Sequence, residues 1–350
     1  MLQNKIMLTL EQRLEILEKL GIELQKIQQE SGLVWRELKT KCFSQNGWFT
    51  ENEIRIAIEN IINEFLHKSK LEKWISSYHM KENNKKYTIG IVMAGNIPAV
   101  GFHDFLCVFV SGQISKIKLS EKDSALLLFI LELMKQINPL AVKHWEIAER
   151  LSNIDAVIAT GSDNSARYFS YYFQKIPHII RKHRNSVAIL SENTSTEEYN
   201  KLSDDIFRYY GLGCRSISKL YLNSIDQIIP LLQVLDQKAD ELLSCSKYKN
   251  NFDYNKSLFL LNGVKHWNND CLLLTQSESL QSRIATLHFD LYQSDQQLAH
   301  DLELHADKIQ CILSNINIPG IPTLPLGSAQ APSLNDYADH VDTMNFLLSL

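Results

Sequence analysis

Apolar residues recur at helical spacing through Leu10, Leu14, Leu17 and Leu20, and again from Ile54 through Ile61 to Trp74, so residues 8–77 are expected to be helical. The polar tract Lys81-Glu82-Asn83-Asn84-Lys85-Lys86 reads as a turn. From Tyr87 the rhythm changes. Residues 88–92 (Thr-Ile-Gly-Ile-Val) form a short β-branched strand, and a helix follows over 100–110. Next come a strand over 114–119, a helix over 124–137, a strand over 156–159 and a helix over 165–175. After the apolar run 186–190 the pattern resumes, with a helix over 196–210, a Gly-Leu-Gly-Cys turn and a strand over 217–222.

Strands alternating with helices at these lengths imply βαβ crossovers and parallel sheets covered on both faces. The expected fold class is α/β, with two doubly wound domains behind an N-terminal helical segment. The first, over 1–192, contains the helices and a Rossmann-like dinucleotide-type domain. The second spans 193–325, and a segment over 326–350, ending in Met344-Asn345-Phe346-Leu347-Leu348, docks on the body.

The chain has 350 residues, 45% of them hydrophobic, enough for two packed cores. Lys and Arg total 36 against 40 for Asp and Glu, which gives no reason to expect nucleic acid or an anionic membrane as partner. Residues 1–7 lack the apolar stretch of a signal peptide, and the run 105–110 is far too short to span a bilayer, so no membrane insertion is expected. Cys42, Cys107, Cys214, Cys245, Cys271 and Cys311 are scattered without a C-x-x-C pair and read as reduced thiols of a cytoplasmic protein. Eleven histidines show no H-x-x-x-H or H-E-x-x-H spacing, so no metal site is expected.

Three turns carry candidate chemistry. Met93-Ala94-Gly95-Asn96-Ile97-Pro98 follows a strand and opens a helix, while Lys118-Leu119-Ser120-Glu121 closes the next strand. Such carboxyl ends are where an open parallel sheet binds ligands. Thr160-Gly161-Ser162, between a strand and a helix, offers N–H groups suited to a pyrophosphate, although a plain helix cap would choose the same residues. In Tyr210-Gly211-Leu212-Gly213-Cys214-Arg215-Ser216, two glycines, Arg215 and nearby Lys219 are features that favour a reactive thiolate at Cys214. By contrast, Cys107 lies in an apolar run and reads as core. The pair His103 and Asp104 suggests acid–base chemistry, but ordinary capping or packing is favoured.

In this order, Asn96-x-Pro98, Lys118-x-x-Glu121, Thr160-Gly161-Ser162 and Cys214 resemble the aldehyde dehydrogenase superfamily, and more closely its acyl-CoA reductase branch, the LuxC-type family. Gly211–Arg215, Gly327-Ser328-Ala329-Gln330 and Asp336-Tyr337-Ala338-Asp339 extend the likeness. Glu278-Ser279-Leu280-Gln281-Ser282-Arg283-Ile284 is similar to the segment whose glutamate binds the nicotinamide ribose, without its Phe-Gly-Pro. The resemblance implies an aldehyde dehydrogenase-like fold and NADPH as cofactor, with NADH the alternative. It implies that Lys118 and Glu121 meet the adenine ribose, that Thr160, Gly161 and Ser162 meet the pyrophosphate, and that Asn96 with the Cys214 N–H holds the oxyanion.

Where aldehyde-oxidising members carry a general-base Glu-Leu-Gly-Gly-Lys, this chain has Arg181-Lys182-His183-Arg184-Asn185, which could also be a solvated basic face. A thioacyl-enzyme without that carboxylate should hydrolyse slowly. The expected activity is therefore reduction of an acyl-CoA, of fatty type, to an aldehyde through a Cys214 thioacyl-enzyme. The alternatives are aldehyde dehydrogenase or acyl-phosphate reductase chemistry on the same fold, or a cysteine acyl carrier or partner subunit that transfers no hydride. Partners compatible with the sequence are acyl-CoA, an acyl-transferring protein and further copies in an oligomer.

Overall fold

The computed structural model describes residues 7–80 and 85–350. The first six residues and most of the 81–86 tract, each the subject of an expectation above, lie outside them. The chain divides into two compact units, one comprising Met1–Lys182 with Pro332–Leu350 and the other His183–Ala331.

The first unit opens with helices α1 (Leu10–Glu30), α2 (Leu33–Gln45), α3 (Glu51–Asn60) and α4 (Lys68–Ile75), with one π-helical turn, Ile61–Phe65, after α3. A capping box between Thr9 and Gln12 starts α1, and its stripe of Ile16, Leu17, Leu20 and Leu24 is buried. Five strands and three helices then alternate: β1 (Thr88–Val92), α5 (Phe102–Ser111), β2 (Ile114–Lys118), α6 (Ala125–Ile137), β3 (Trp145–Ile147), β4 (Ala156–Thr160), α7 (Asp163–Phe173) and β5 (His178–Arg181). All the pairings are parallel, in the order β3-β2-β1-β4-β5. The order reverses between β1 and β4, which makes the carboxyl ends of β1, β2 and β4 one crevice-forming edge. Helix α5 is buried along the apolar run Phe105–Val110, which explains that run as core.

Strands β3 and β5 were not legible in advance. The former is three residues long, and the latter, His-Ile-Ile-Arg, ends in an arginine that a sequence reading assigns to a surface.

The second unit contains β6 (Asn185–Leu190), α8 (Thr196–Phe207), β7 (Ile217–Leu222), α9 (Ile228–Leu235), α10 (Ala239–Ser244), α11 (Ser246–Leu261), β8 (Trp267–Asn268), β9 (Leu273–Gln276), β10 (Thr286–Leu291), α12 (Asp295–Leu304) and β11 (Ile309–Ser314). Its sheet runs β11-β6-β7-β10-β9-β8, parallel except for β8 against β9. Because β6 is hydrogen-bonded to β7 and β11, the boundary falls at 182/183, ten residues before the position expected.

The closing segment is likewise divided rather than docked as one piece. Residues up to Ala331 remain with the second unit, whereas Leu334, Tyr337, Met344 and Leu347, the last two on α13 (Thr343–Leu348), join the core of the first. No helix among the described residues is long and apolar enough to cross a membrane.

Candidate active site

Helix α8, started by a capping box of Ser195 and Glu198, was expected to reach residue 210 but stops at Phe207. Tyr209 (φ 54°, ψ 27°), Tyr210 (φ 55°, ψ 28°) and Gly211 (φ 74°) follow in the left-handed region. For a residue with a Cβ this costs about 1–2 kcal/mol. Burial of both tyrosines, with the Tyr210 ring 5.8 Å from that of Tyr248, offsets the cost. The chain is thereby turned so that Cys214 and Arg215 form the corner of a tight turn, closed by the Ser216 N–H on the Gly213 carbonyl at 3.0 Å, directly before β7. Of the two glycines before the thiol, Gly211 is the one that needs its positive φ.

Cys214 is half-buried, while the other five cysteines are buried. Its carbonyl accepts the hydroxyl of Ser186 at 2.9 Å, and the Ser186 oxygen receives the Cys311 N–H at 3.2 Å. The segment 327–330 is sewn onto the same turn. Arg215 Nε donates to the Ala329 carbonyl at 2.6 Å, and Asp205 accepts the N–H groups of Gly327 at 2.5 Å and Ala329 at 2.9 Å. Burial pushes the Asp205 carboxyl up to about 6, against the pull of those two N–H groups.

Lys219 was expected to favour the thiolate. Instead its ammonium donates to the Glu278 carbonyl at 3.0 Å, lies 3.6 Å from Asp290 and sits over the Tyr221 ring. With Ser218 on the Leu280 carbonyl at 2.7 Å, it pins the backbone of the Glu278 segment while the Glu278 side chain stays exposed.

A cavity of about 480 Å³ opens beside the turn, lined among others by His183, Tyr210, Gly213, Ser216, Ser282 and Arg283. It lies at the amino ends of β6, β7 and β10, the edge opposite to the one that ordinarily binds ligands in such sheets. Sequence rules based on strand ends could not have found it.

In the first unit, the edge formed by the carboxyl ends of β1, β2 and β4 collects Asn96, Lys118, Glu121 and Thr160-Gly161-Ser162. Asn96, Lys118, Glu121 and Ser162 are exposed. Ser162 caps α7 through the Ser165 N–H at 3.3 Å, and a Cβ on Gly161 would lie 2.8 Å from Ser165 Cβ. Along one sheet edge, an ammonium and a helix N-terminus that donate, with a carboxylate that accepts, suit the phosphates and ribose hydroxyls of a dinucleotide.

The basic run 181–185 is not a solvated face throughout. Arg181 is buried in an ion pair with Asp104, and its other terminal nitrogen donates to Thr343 Oγ1 at 3.0 Å. Arg184 donates to the Ile309 carbonyl at 3.3 Å, which leaves Lys182 and His183 as the exposed members. His103 packs against Phe65 and Tyr337 with a ring nitrogen 3.1 Å from the Leu334 carbonyl, a packing role, while Asp104 is the partner of Arg181. Sequence reasoning missed Asp205, Ser186 and Asp123. The signal available for Asp205 was its place on the same helix face as Tyr199, Leu202 and Ile206, whereas Asp123, in the polar run Ser120-Glu121-Lys122-Asp123-Ser124, gave none.

Several solved structures share the fold. Aldehyde dehydrogenase 21 from Physcomitrella patens, solved with its reaction product succinate, superposes with a TM-score of 0.69 at 12% identity over 98% of this chain and 84% of its own. An aldehyde dehydrogenase from Bacillus cereus in complex with NAD+ gives 0.62 at 14% identity over 88% and 72%. An NAD-dependent aldehyde dehydrogenase from Sinorhizobium meliloti gives 0.63 at 12% over 91% and 77%. No curated protein matches the chain. The family profile of acyl-CoA reductase (LuxC) matches residues 20–238, a stretch that includes the Asn96 loop, both predicted cofactor turns and Cys214. The chain thus belongs to the acyl-CoA reductase (LuxC) family, built on the aldehyde dehydrogenase fold.

Proposed function

We propose that the protein reduces an acyl-CoA thioester, of fatty acyl type, to an aldehyde, with Cys214 as nucleophile and NADPH as reductant. The observation that carries this is the half-exposed Cys214, set by the left-handed Tyr209-Tyr210-Gly211 turn next to a 480 Å³ cavity while the other cysteines are buried. Family membership supports the reaction class.

The Cys214 sulfur attacks the thioester carbonyl, and the oxyanion is held by the Cys214 N–H and the Asn96 side chain. Collapse of the adduct breaks the carbon–sulfur bond to coenzyme A, which leaves as a thiolate and takes up a proton, and the acyl group stays on Cys214. When bound, the reduced nicotinamide would supply the hydride that, together with a proton taken up by the oxygen, converts this thioacyl group to a thiohemiacetal. Breakage of the carbon–sulfur bond to Cys214 then releases the aldehyde and restores the thiol.

Lys118 and Glu121 would hold the adenine ribose, Thr160, Gly161 and Ser162 the pyrophosphate, and Glu278 the nicotinamide ribose. The Arg181–Asn185 run supplies no carboxylate to activate water at the acyl-enzyme.

The test is steady-state oxidation of NADPH with acyl-CoA or acyl phosphate, alongside reduction of NADP+ with free aldehyde as the rival substrate. Cys214→Ala is expected to abolish aldehyde formation and the burst of coenzyme A release. Full activity in that variant would overturn the proposal.

A further inference from the structure

The loop between β1 and α5, which carries Asn96, is held by two elements outside it. Asn46, at the C-terminal end of α2, donates Nδ2 to the Gly95 carbonyl at 3.2 Å. From the loop after β2, Asp123 Oδ2 accepts the Ala99 N–H at 2.7 Å, and the same carboxyl also accepts the N–H of Val100. Ala99 has φ 53°, a left-handed conformation that a residue with a Cβ keeps only where its surroundings enforce it.

The two loops also approach closely enough that a Cβ on Gly95 would lie 2.4 Å from Ser120 Oγ. The end of α2 is fastened to the start of α6 as well, with Gln45 donating to Ser124 Oγ at 2.7 Å and accepting the Ala125 N–H at 3.0 Å.

Asp123 is 6% exposed, and its second oxygen, Oδ1, meets no hydrogen-bond partner among the described residues. A carboxyl buried this way is costly, and an apolar residue would fill the space with less penalty. What it supplies and an apolar residue cannot is acceptance of the N–H groups of the left-handed turn. Burial pushes its titration up to about 8, so at neutral pH it is mostly a neutral acceptor.

From this geometry we infer that Asp123 is the positioning residue of the Asn96 loop, and that Asn46 brings the N-terminal helices into the same task. The inference rests on the assignment of Asn96 as an oxyanion donor. It gives those helices a role in catalysis rather than in cofactor contact.

The experiment compares wild type with Asp123→Ala, Asp123→Asn and Asn46→Ala in the full chain, with acyl-CoA and NADPH. Asp123→Ala is expected to lower kcat by about 10-fold or more, as loss of an oxyanion donor does, with KM for NADPH unchanged. Asp123→Asn, which keeps an acceptor oxygen, should restore most of kcat. Should Asp123→Ala fail to fold, Asn46→Ala is expected to show the same split in weaker form.

Amide hydrogen exchange over residues 95–100 is read in parallel without any turnover. Faster exchange there in the Ala variant and not in the Asn variant supports the inference. Equal exchange in all variants, or an Asp123→Ala enzyme with wild-type kcat, overturns it. If the wild type reduces no acyl-CoA, the proposed function has failed, and the exchange result alone decides whether Asp123 holds the loop.

Discussion

The Ser186 hydroxyl donates a 2.9 Å hydrogen bond to the carbonyl of Cys214, so the start of strand β6 fixes the backbone of the half-buried thiol. Ser186 is fully buried, and its oxygen also receives the Cys311 N–H. Removing the hydroxyl leaves a carbonyl and an N–H without this partner, a loss worth about 1–3 kcal/mol. Ser186→Ala is expected to lower the urea midpoint accordingly and to change the rate at which iodoacetamide alkylates Cys214. A midpoint and alkylation rate equal to wild type would show that the hydroxyl does not hold the turn.

Asp205 makes stability depend on pH in an identifiable window. Its ordinary value is 3.8, and burial raises it to about 6 in the folded chain. The native state therefore holds the proton more tightly than the unfolded chain. Its stabilising contribution is complete below about 3.8 and is lost as pH rises through about 6. The swing is on the order of 3 kcal/mol. Asp205→Asn removes the titration and turns one acceptor oxygen into a donor that faces a backbone N–H. Denaturant midpoints from pH 4 to 7 should fall for the wild type relative to this variant. Parallel curves for the two would contradict the assignment.

The buried Asp104–Arg181 pair predicts a larger effect. Arg181 is 5% exposed and its Nε has no hydrogen-bond partner among the described residues, so Asp104 provides its charge compensation. Asp104→Ala leaves that charge buried alone, at a cost of about 3–5 kcal/mol. Thr343→Val, which removes one neutral acceptor, should cost only about 1 kcal/mol. Thermal or urea unfolding checks the order of the two. Equal losses would mean that the ion pair contributes no more than its hydroxyl partner.

The order of strands and helices could be read from the chain because apolar runs at strand and helix lengths recur wherever both faces of a sheet are covered. The same regularity placed Asn96, Lys118, Glu121 and Thr160 at one sheet edge, since Lys118 and Thr160 end their strands and Asn96 and Glu121 lie in the loops just after β1 and β2. What could not be read depends on contacts between distant residues. Arg181 looks like part of a basic surface until β5 is seen to carry it inward to Asp104, 77 positions earlier. Lys219 looks like a neighbour of the thiol, but a residue within a strand points where the sheet decides, here to Glu278 and Asp290. Helix propensity continues through Tyr209 and Tyr210, and only their burial explains why both turn left-handed.

That turn yields the last prediction. Gly211 has φ +74°, and a Cβ there would meet only the Ile206 carbonyl at 3.6 Å, an ordinary contact, so a substitution is opposed by conformation and not by crowding. Gly263, with φ +63° and open space around it, carries the same backbone demand away from the site. Gly211→Ala and Gly263→Ala should each lose about 1–2 kcal/mol of stability. They should part company in function, because relaxation of the Gly211 turn shifts the residue that begins the path to Cys214. In Gly211→Ala the burst of coenzyme A release is expected to slow by about 10-fold or more, the size of effect that misplacement of a reacting group produces. In Gly263→Ala it should match wild type. Stopped-flow measurement of coenzyme A release in the three proteins separates the two effects, and an unaltered burst in Gly211→Ala would show that Cys214 does not depend on the left-handed turn.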